Sequence, residues 1–130
     1  MDRDNKVIST DLAPAAIGAY SQAIKSGNNI YVSGQIALDI RTGKLTEGGI
    51  KEQTHVVIQN IHKILIAAGY ELSDVVQCQV FLANLNDYEE MNEVYRQYFK
   101  EKPPARAVVQ VSQIPRNALI EIMVVASKQE

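Results

Sequence analysis

The chain has 130 residues, 46% of them hydrophobic and 22% charged, with a formal net charge of −2. That is the length of a single domain, residues 1–130, able to bury about two thirds of its unfolded surface, and the charge gives neither nucleic acid nor an anionic membrane an electrostatic hold. One cysteine, Cys78, excludes an intramolecular disulfide, the polar Met1–Asn5 lacks a signal-peptide core, and no apolar run approaches the ~20 residues of a membrane span, so a cytoplasmic protein is expected.

In chain order, Val7-Ile8 opens a short strand, and Asp11 to Ala19, with Pro14 and Gly18, reads as a loop. Tyr20–Lys25 and Asn29–Ser33 flank Ser26-Gly27-Asn28 as a hairpin. Gly34 to Gly49 is a long connection. Ile50, Thr54, Val57, Ile58, Ile61, Ile64, Leu65 and Ala68 recur at helical spacing, with Gly69 placed to end that helix. Asp74–Ala83 alternates as a strand. A second helix is predicted over Asn86–Lys100, with Asn86 and Glu89 as a capping box and Tyr88, Met91, Val94, Tyr95, Tyr98 and Phe99 as its apolar stripe. Pro103-Pro104 stops it, since proline lacks the helical N–H. Ala107–Val111 and Leu119–Ala126 then read as two closing strands around a turn.

The order ββ–α–β–α–ββ predicts an α+β fold, a five- or six-stranded sheet with two helices on one face. By alternation, the other face carries Tyr31, Ser33, Gln77, Gln79 and Phe81, with Arg106, Val108, Gln110, Leu119, Glu121 and Met123 from the closing strands. That face is too apolar for water and too polar for a dry core. A second subunit is the expected cover, and polar interfaces of this kind suit a small-molecule site.

Arg106 and Glu121 carry the chemistry. If residues 111 and 118 flank a hairpin loop, Val108 lies opposite Glu121 and Arg106 sits diagonally beside it on the same face. Two readings stand at this point. Arg106 grips a substrate carboxylate through its planar fork while Glu121 moves protons, or the two form a structural ion pair at a subunit interface. Ser33-Gly34 ends a strand, either as a plain strand-to-loop transition or as a place where glycine leaves its N–H open to an anion. Tyr20, after Gly18, offers a phenol to a pocket or serves as core. His55 and His62 read as solvated and Cys78 as core, so no metal set converges. No phosphate-cradling loop or dinucleotide fingerprint is present, and no cofactor is expected.

Ala13-Pro14-Ala15-Ala16-Ile17-Gly18-Ala19-Tyr20-Ser21-Gln22, Ser33-Gly34-Gln35-Ile36, Asn92-Glu93-Val94-Tyr95, and Pro104-Ala105-Arg106 with Ile120-Glu121-Ile122 together resemble the RidA/YjgF family, over residues 6 to 127. The resemblance implies a chorismate-mutase-like mixed sheet with two helices on one face, assembling as a trimeric barrel with clefts between subunits. It implies cofactor-independent hydrolysis of 2-imino acids, such as 2-iminobutanoate and 2-iminopropanoate, to 2-oxo acids and ammonia. Carried over by motif, Arg106 holds the carboxylate and Glu121 positions water. Tyr20, Ser33, Gly34 and Asn92 line the pocket with Val108. The chain departs from the family at Ala19, where proline is common, at Val108, where several active members carry cysteine, and at Met123, in place of a second glutamate. Two rivals remain: a non-catalytic trimer that senses 2-oxo acids or amino acids, and a ribonuclease or translation inhibitor, an activity attributed to some relatives.

Overall fold

The computed structural model describes residues 5–129. Strands β1 (Lys6–Ile8), β2 (Ala23–Ser26) and β3 (Asn29–Gln35) precede helix α1 (Ile50–Ala67). Strand β4 (Val75–Leu82), helix α2 (Tyr88–Tyr98), and strands β5 (Ala105–Gln110) and β6 (Ile120–Ser127) follow. The sheet runs β1-β2-β3-β6-β4-β5, with β4 and β5 parallel and every other pair antiparallel. The parallel pair needs a crossover, and α2 supplies it. Among the described residues no helix is long and apolar enough to cross a membrane.

Both helices lie on one face, as the periodicities predict. Helix α1 buries Val57, Ile58, Ile61, Ile64 and Leu65, and α2 buries Met91, Val94 and Tyr95. They cover Ile30, Val32, Cys78, Val80, Leu82, Ile120, Ile122 and Val124 from the sheet. A fully buried aliphatic side chain contributes about 1.5–3 kcal/mol. The five on α1 therefore outweigh its end effects, although those ends are well made. Glu52 reaches back to the Gly49 N–H at 2.8 Å. At the other end Gly69, at φ +82°, turns the chain so that Tyr70 N–H meets the Leu65 carbonyl at 2.8 Å.

Several boundaries shift. The second helix begins at Tyr88, after a 3-10 turn over Leu85–Asp87 whose cap is Asn84, its side chain accepting from Asn86 N–H at 2.9 Å. The expected Asn86–Glu89 capping box is not formed, because Asn86 lies inside that turn. The strand expected from Tyr20 starts at Ala23, since Gln22 turns its side chain into the preceding loop.

The largest correction concerns the closing strands. β5 and β6 do not pair, because β4 lies between them. Val111 N–H bonds to Leu82 O at 2.9 Å, and Ala83 N–H bonds to Leu119 O at 3.1 Å. The end of β4 is thus held from both sides, and the segment between residues 111 and 119 steps over it instead of closing a hairpin. Left-handed backbone at Arg116 (φ 60°) and Asn117 (φ 57°) makes that step.

The faces change with the pairing. Arg106 is in register with Cys78, Val108 with Val80 and Gln110 with Leu82, all residues that point at the helices. Glu121 is in register with Phe81, on the open face. Arg106, Val108 and Gln110 therefore lie on the helix side and not on the open face where alternation had put them. Leu119, ahead of β6, packs against the core. Tyr31, Gln77, Gln79, Phe81, Glu121 and Met123 do occupy the open face, and Tyr31 remains 47% exposed.

Candidate active site

The sequence-predicted residues fall into two groups. Tyr20, Ser33, Gly34 and Glu121 line one cavity of about 640 Å³, on the open side of the sheet. Asn92 and Arg106 line a second, shallower one of about 620 Å³, at the edge formed by α2 and β5. Val108 lines neither. It is half-buried against the core, so a role in pocket polarity does not follow from its place in this chain. The diagonal Arg106–Glu121 contact expected from a hairpin is absent, since the two side chains leave opposite faces of the sheet.

In the first cavity the β3–β6 ladder shifts register between Val32 and Gln35. This irregularity sets Gly34 directly beneath the Glu121 carboxyl group. A Cβ at Gly34 would fall within 2.9 Å of the carboxyl carbon, with Oε2 closer still, so any side chain here would push the acid aside. Burial raises the Glu121 pKa above its ordinary 4.5, and among the described residues Glu121 is in no ion pair. The opposing guanidinium inferred from the sequence does not act within one chain.

Ser33 is pinned rather than free. Its hydroxyl donates to Ser21 O at 2.6 Å, and its N–H bonds to Gln22 O at 2.9 Å. The hydroxyl oxygen keeps acceptor capacity. Tyr20 is 52% exposed at the cavity rim, and its oxygen accepts from Ile17 N–H at 3.4 Å across the Gly18 turn, where φ is +122°. The wall behind them depends on Gln22, which is buried. Its amide donates to Pro14 O at 2.7 Å and Thr10 O at 3.1 Å, and its carbonyl accepts from Thr10 N–H at 2.8 Å. Sequence reasoning gave Gln22 no role. A buried glutamine beside a proline-containing loop was the available signal.

The second group is organised by Arg106. Its Nη1 donates to Asn92 Oδ1 at 2.8 Å and its Nη2 to the Tyr88 hydroxyl at 2.7 Å. Its Cζ lies 4.7 Å from the Tyr95 ring centroid and 5.6 Å from that of Tyr88. The side-chain ion pairs among the described residues are Arg41–Asp39, Lys51–Glu93 and His62–Glu71. Arg106 is in none of them, so its charge is oriented but not neutralised. Asn92 both lines the second cavity and holds the guanidinium. Tyr88 was read as apolar stripe, and its hydroxyl was missed.

The remaining titratable groups are structural. Burial pushes the Cys78 thiol up to about 11, which removes its nucleophilicity. Tyr95, whose buried hydroxyl lacks a partner, is likewise pushed up by burial. His55 is not simply solvated, for its Nδ1 lies 2.8 Å from the Tyr98 hydroxyl. Among the described residues no three of His, Cys, Asp and Glu are grouped to hold a metal.

Comparison with known proteins places this arrangement. Residues 10–128 match the family described as Endoribonuclease L-PSP. A RutC family protein of Pyrococcus horikoshii is 51% identical over 124 residues, covering 95% of this chain and 98% of its own. The human 2-iminobutanoate/2-iminopropanoate deaminase is 47% identical over 121 residues, covering 93% of this chain and 88% of its own. Among solved structures, RidA of the Antarctic bacterium Psychrobacter sp. matches with a TM-score of 0.91 at 45% identity, over 95% of this chain and 99% of its own. TdcF of E. coli, solved with bound serine, matches with a TM-score of 0.91 at 35% identity, over 95% and 99%. Similarity at this level across nearly the whole chain, with the same fold, means that the protein belongs to the RidA/YjgF family, the family described as Endoribonuclease L-PSP.

Proposed function

We propose that the protein is a hydrolytic deaminase of reactive 2-imino acids that works without a cofactor, in clefts between the subunits of a homotrimer. The observation that carries this reading is the separation of Arg106 and Glu121. Each has the form of half a site, and they sit on opposite faces of one sheet. Arg106 is oriented by neutral acceptors and keeps an unpaired charge, as a carboxylate-binding arginine requires. Glu121 retains its proton to higher pH than an ordinary glutamate, as a proton-shuttling group requires. A second copy that lays its α2–β5 edge over the open face of the first would join them. The apolar Tyr31 and Met123 on that face favour such a cover.

The chemistry is balanced with these groups alone. The substrate is R–C(=NH2+)–COO−, its carboxylate on the Arg106 fork. Water adds to the electrophilic imine carbon while Glu121 takes one of its protons. The protonated Glu121 then gives that proton to the carbinolamine nitrogen. The C–N bond breaks, the hydroxyl proton passes to the departing ammonia, and a 2-oxo acid and ammonium remain. Fixing the substrate carboxylate contributes by orientation, because the imine carbon is already reactive. Serine in TdcF and the activity named for the human relative support an α-carboxylate ligand bearing nitrogen at the next carbon.

The test is hydrolysis of 2-iminobutanoate, generated in the assay by a threonine dehydratase, with and without the purified protein. Accelerated loss of imine, unaffected by added RNA, is expected. A trimer that binds 2-oxobutanoate but leaves imine loss at the background rate would instead support the sensing role. RNA cleavage, with binding that weakens steeply as salt rises, would support the ribonuclease role.

A further inference from the structure

Three side chains of α2 converge on Arg106, and their spacing explains why. Tyr88, Asn92 and Tyr95 stand at i, i+4 and i+7, which is one helical face. That face looks onto the inward-pointing residues of β5, the sheet's edge strand. Tyr95 offers its ring, Asn92 its amide oxygen, and Tyr88 a hydroxyl 2.7 Å from Nη2. Core packing alone asks only for an aromatic ring at position 88, not for that hydroxyl.

The contact is braced at both ends. Tyr88 is the first residue of α2, and the turn just before it is bonded to β5, Leu85 N–H donating to Gln110 Oε1 at 2.8 Å. Gln110 leaves β5 on the same face as Arg106. The hydroxyl and the guanidinium are thus held on one frame. A guanidinium has five donors, and Asn92 and Tyr88 take one from each terminal nitrogen. This fixes its plane and leaves one N–H on each terminal nitrogen, with Nε–H, for a carboxylate.

We propose that Tyr88 is a positioning residue for substrate recognition: its hydroxyl, with the Asn92 amide, holds the Arg106 guanidinium in the plane that the α-carboxylate of a 2-imino acid meets. The assignment rests on the imine-deaminase reading above. Loss of the hydroxyl leaves the ring in place but lets Nη2 swing, so the carboxylate meets a less ordered fork. The effect falls on binding and is shared by ground and transition states, because the carboxylate does not change during the reaction.

The test is Tyr88→Phe, which removes one oxygen atom. Hydrolysis of 2-iminobutanoate, competitive inhibition by 2-oxobutanoate and thermal melting are measured beside wild type and Arg106→Ala. KM and the inhibition constant should rise together by about fivefold, the size of one hydrogen bond, while kcat and Tm stay at wild-type values. KM and inhibition unchanged from wild type would overturn the proposal. So would a fall in Tm and kcat with KM intact, which is the pattern of a packing residue. If Arg106→Ala binds 2-oxobutanoate as well as wild type, the deaminase reading falls and takes this role with it. A defect in Arg106→Ala without one in Tyr88→Phe overturns only the role of Tyr88.

Discussion

Glu121 and Arg106 both bring charge to the sheet, yet the chain surrounds them in different ways. The glutamate leaves the open face, lies over a glycine, and is in no ion pair among the described residues. The arginine leaves the helix face and is gripped by a hydroxyl, an amide and two rings, none of which neutralises it. Within one chain the two therefore form no ion pair. Under the proposed function, each half would await a partner that the single chain does not supply. In the proposed deaminase, one half would select by charge and geometry and the other would handle protons.

The largest effect should come from the selecting half. Arg106→Ala is expected to lower kcat/KM for 2-iminobutanoate by 100-fold or more, on the order of 3 kcal/mol of charge-assisted binding. Its melting temperature should fall only modestly, because two hydrogen bonds and the ring contacts are lost but no ion pair is. Retained turnover, measured by steady-state kinetics, would detach the arginine from recognition and erase the contrast between the halves.

Next is the proton-handling half. Glu121→Gln should slow hydrolysis by about 10²-fold, the low end for loss of a general base, while 2-oxobutanoate still binds. In the wild type, the acid limb of the rate profile should lie above the ordinary glutamate value of 4.5, and the variant should lack that limb. The same shift affects stability. A folded-state pKa raised by burial means that the folded protein binds the proton more tightly than the unfolded chain does. The resulting stabilisation is full below 4.5 and is lost as pH rises through the folded value. Melting curves of the variant should therefore gain on wild type as pH increases through that window. Parallel curves would deny the raised pKa.

A smaller effect sharpens the comparison within the first cavity. Gly34→Ala places a Cβ against the far end of a flexible side chain, so the Glu121 carboxyl should move before the backbone does. Turnover is expected to drop about tenfold with melting nearly unchanged, less than the ~10²-fold that a full ångström of misplacement can cost. A large loss of stability with normal turnover per folded molecule would show that the glycine serves the strand rather than the acid.

Much of this was legible in the residues. The heptad-like run of Ile and Val over Ile50–Ala67 dictated α1, and Pro103-Pro104 dictated where α2 could not continue. Alternation correctly grouped Arg106 with Val108 and Gln110, and Glu121 with Met123. It could not say which face each group took, because that depends on the neighbouring strand. The segment from 111 to 119 has the length and turn residues of a hairpin loop, and only long-range bonds to Leu82 and Ala83 reveal that it spans β4. The parallel pairing that follows moved Arg106 to the helix side. Tyr88 was hidden for a related reason: periodicity marks it as apolar and is blind to its oxygen. Gln22 was hidden because its partners are backbone carbonyls up to twelve residues away.

The most direct measurement is complementation between two inactive variants. Arg106→Ala and Glu121→Gln, each with its own affinity tag, would be co-expressed, and mixed oligomers isolated through both tags. If each cleft takes its arginine from one subunit and its glutamate from the next, every mixed trimer carries an intact pair in one of its three clefts, about a third of the clefts. Imine hydrolysis should then return to a similar fraction of wild type. Activity no higher than that of either parent variant would contradict a site built between chains.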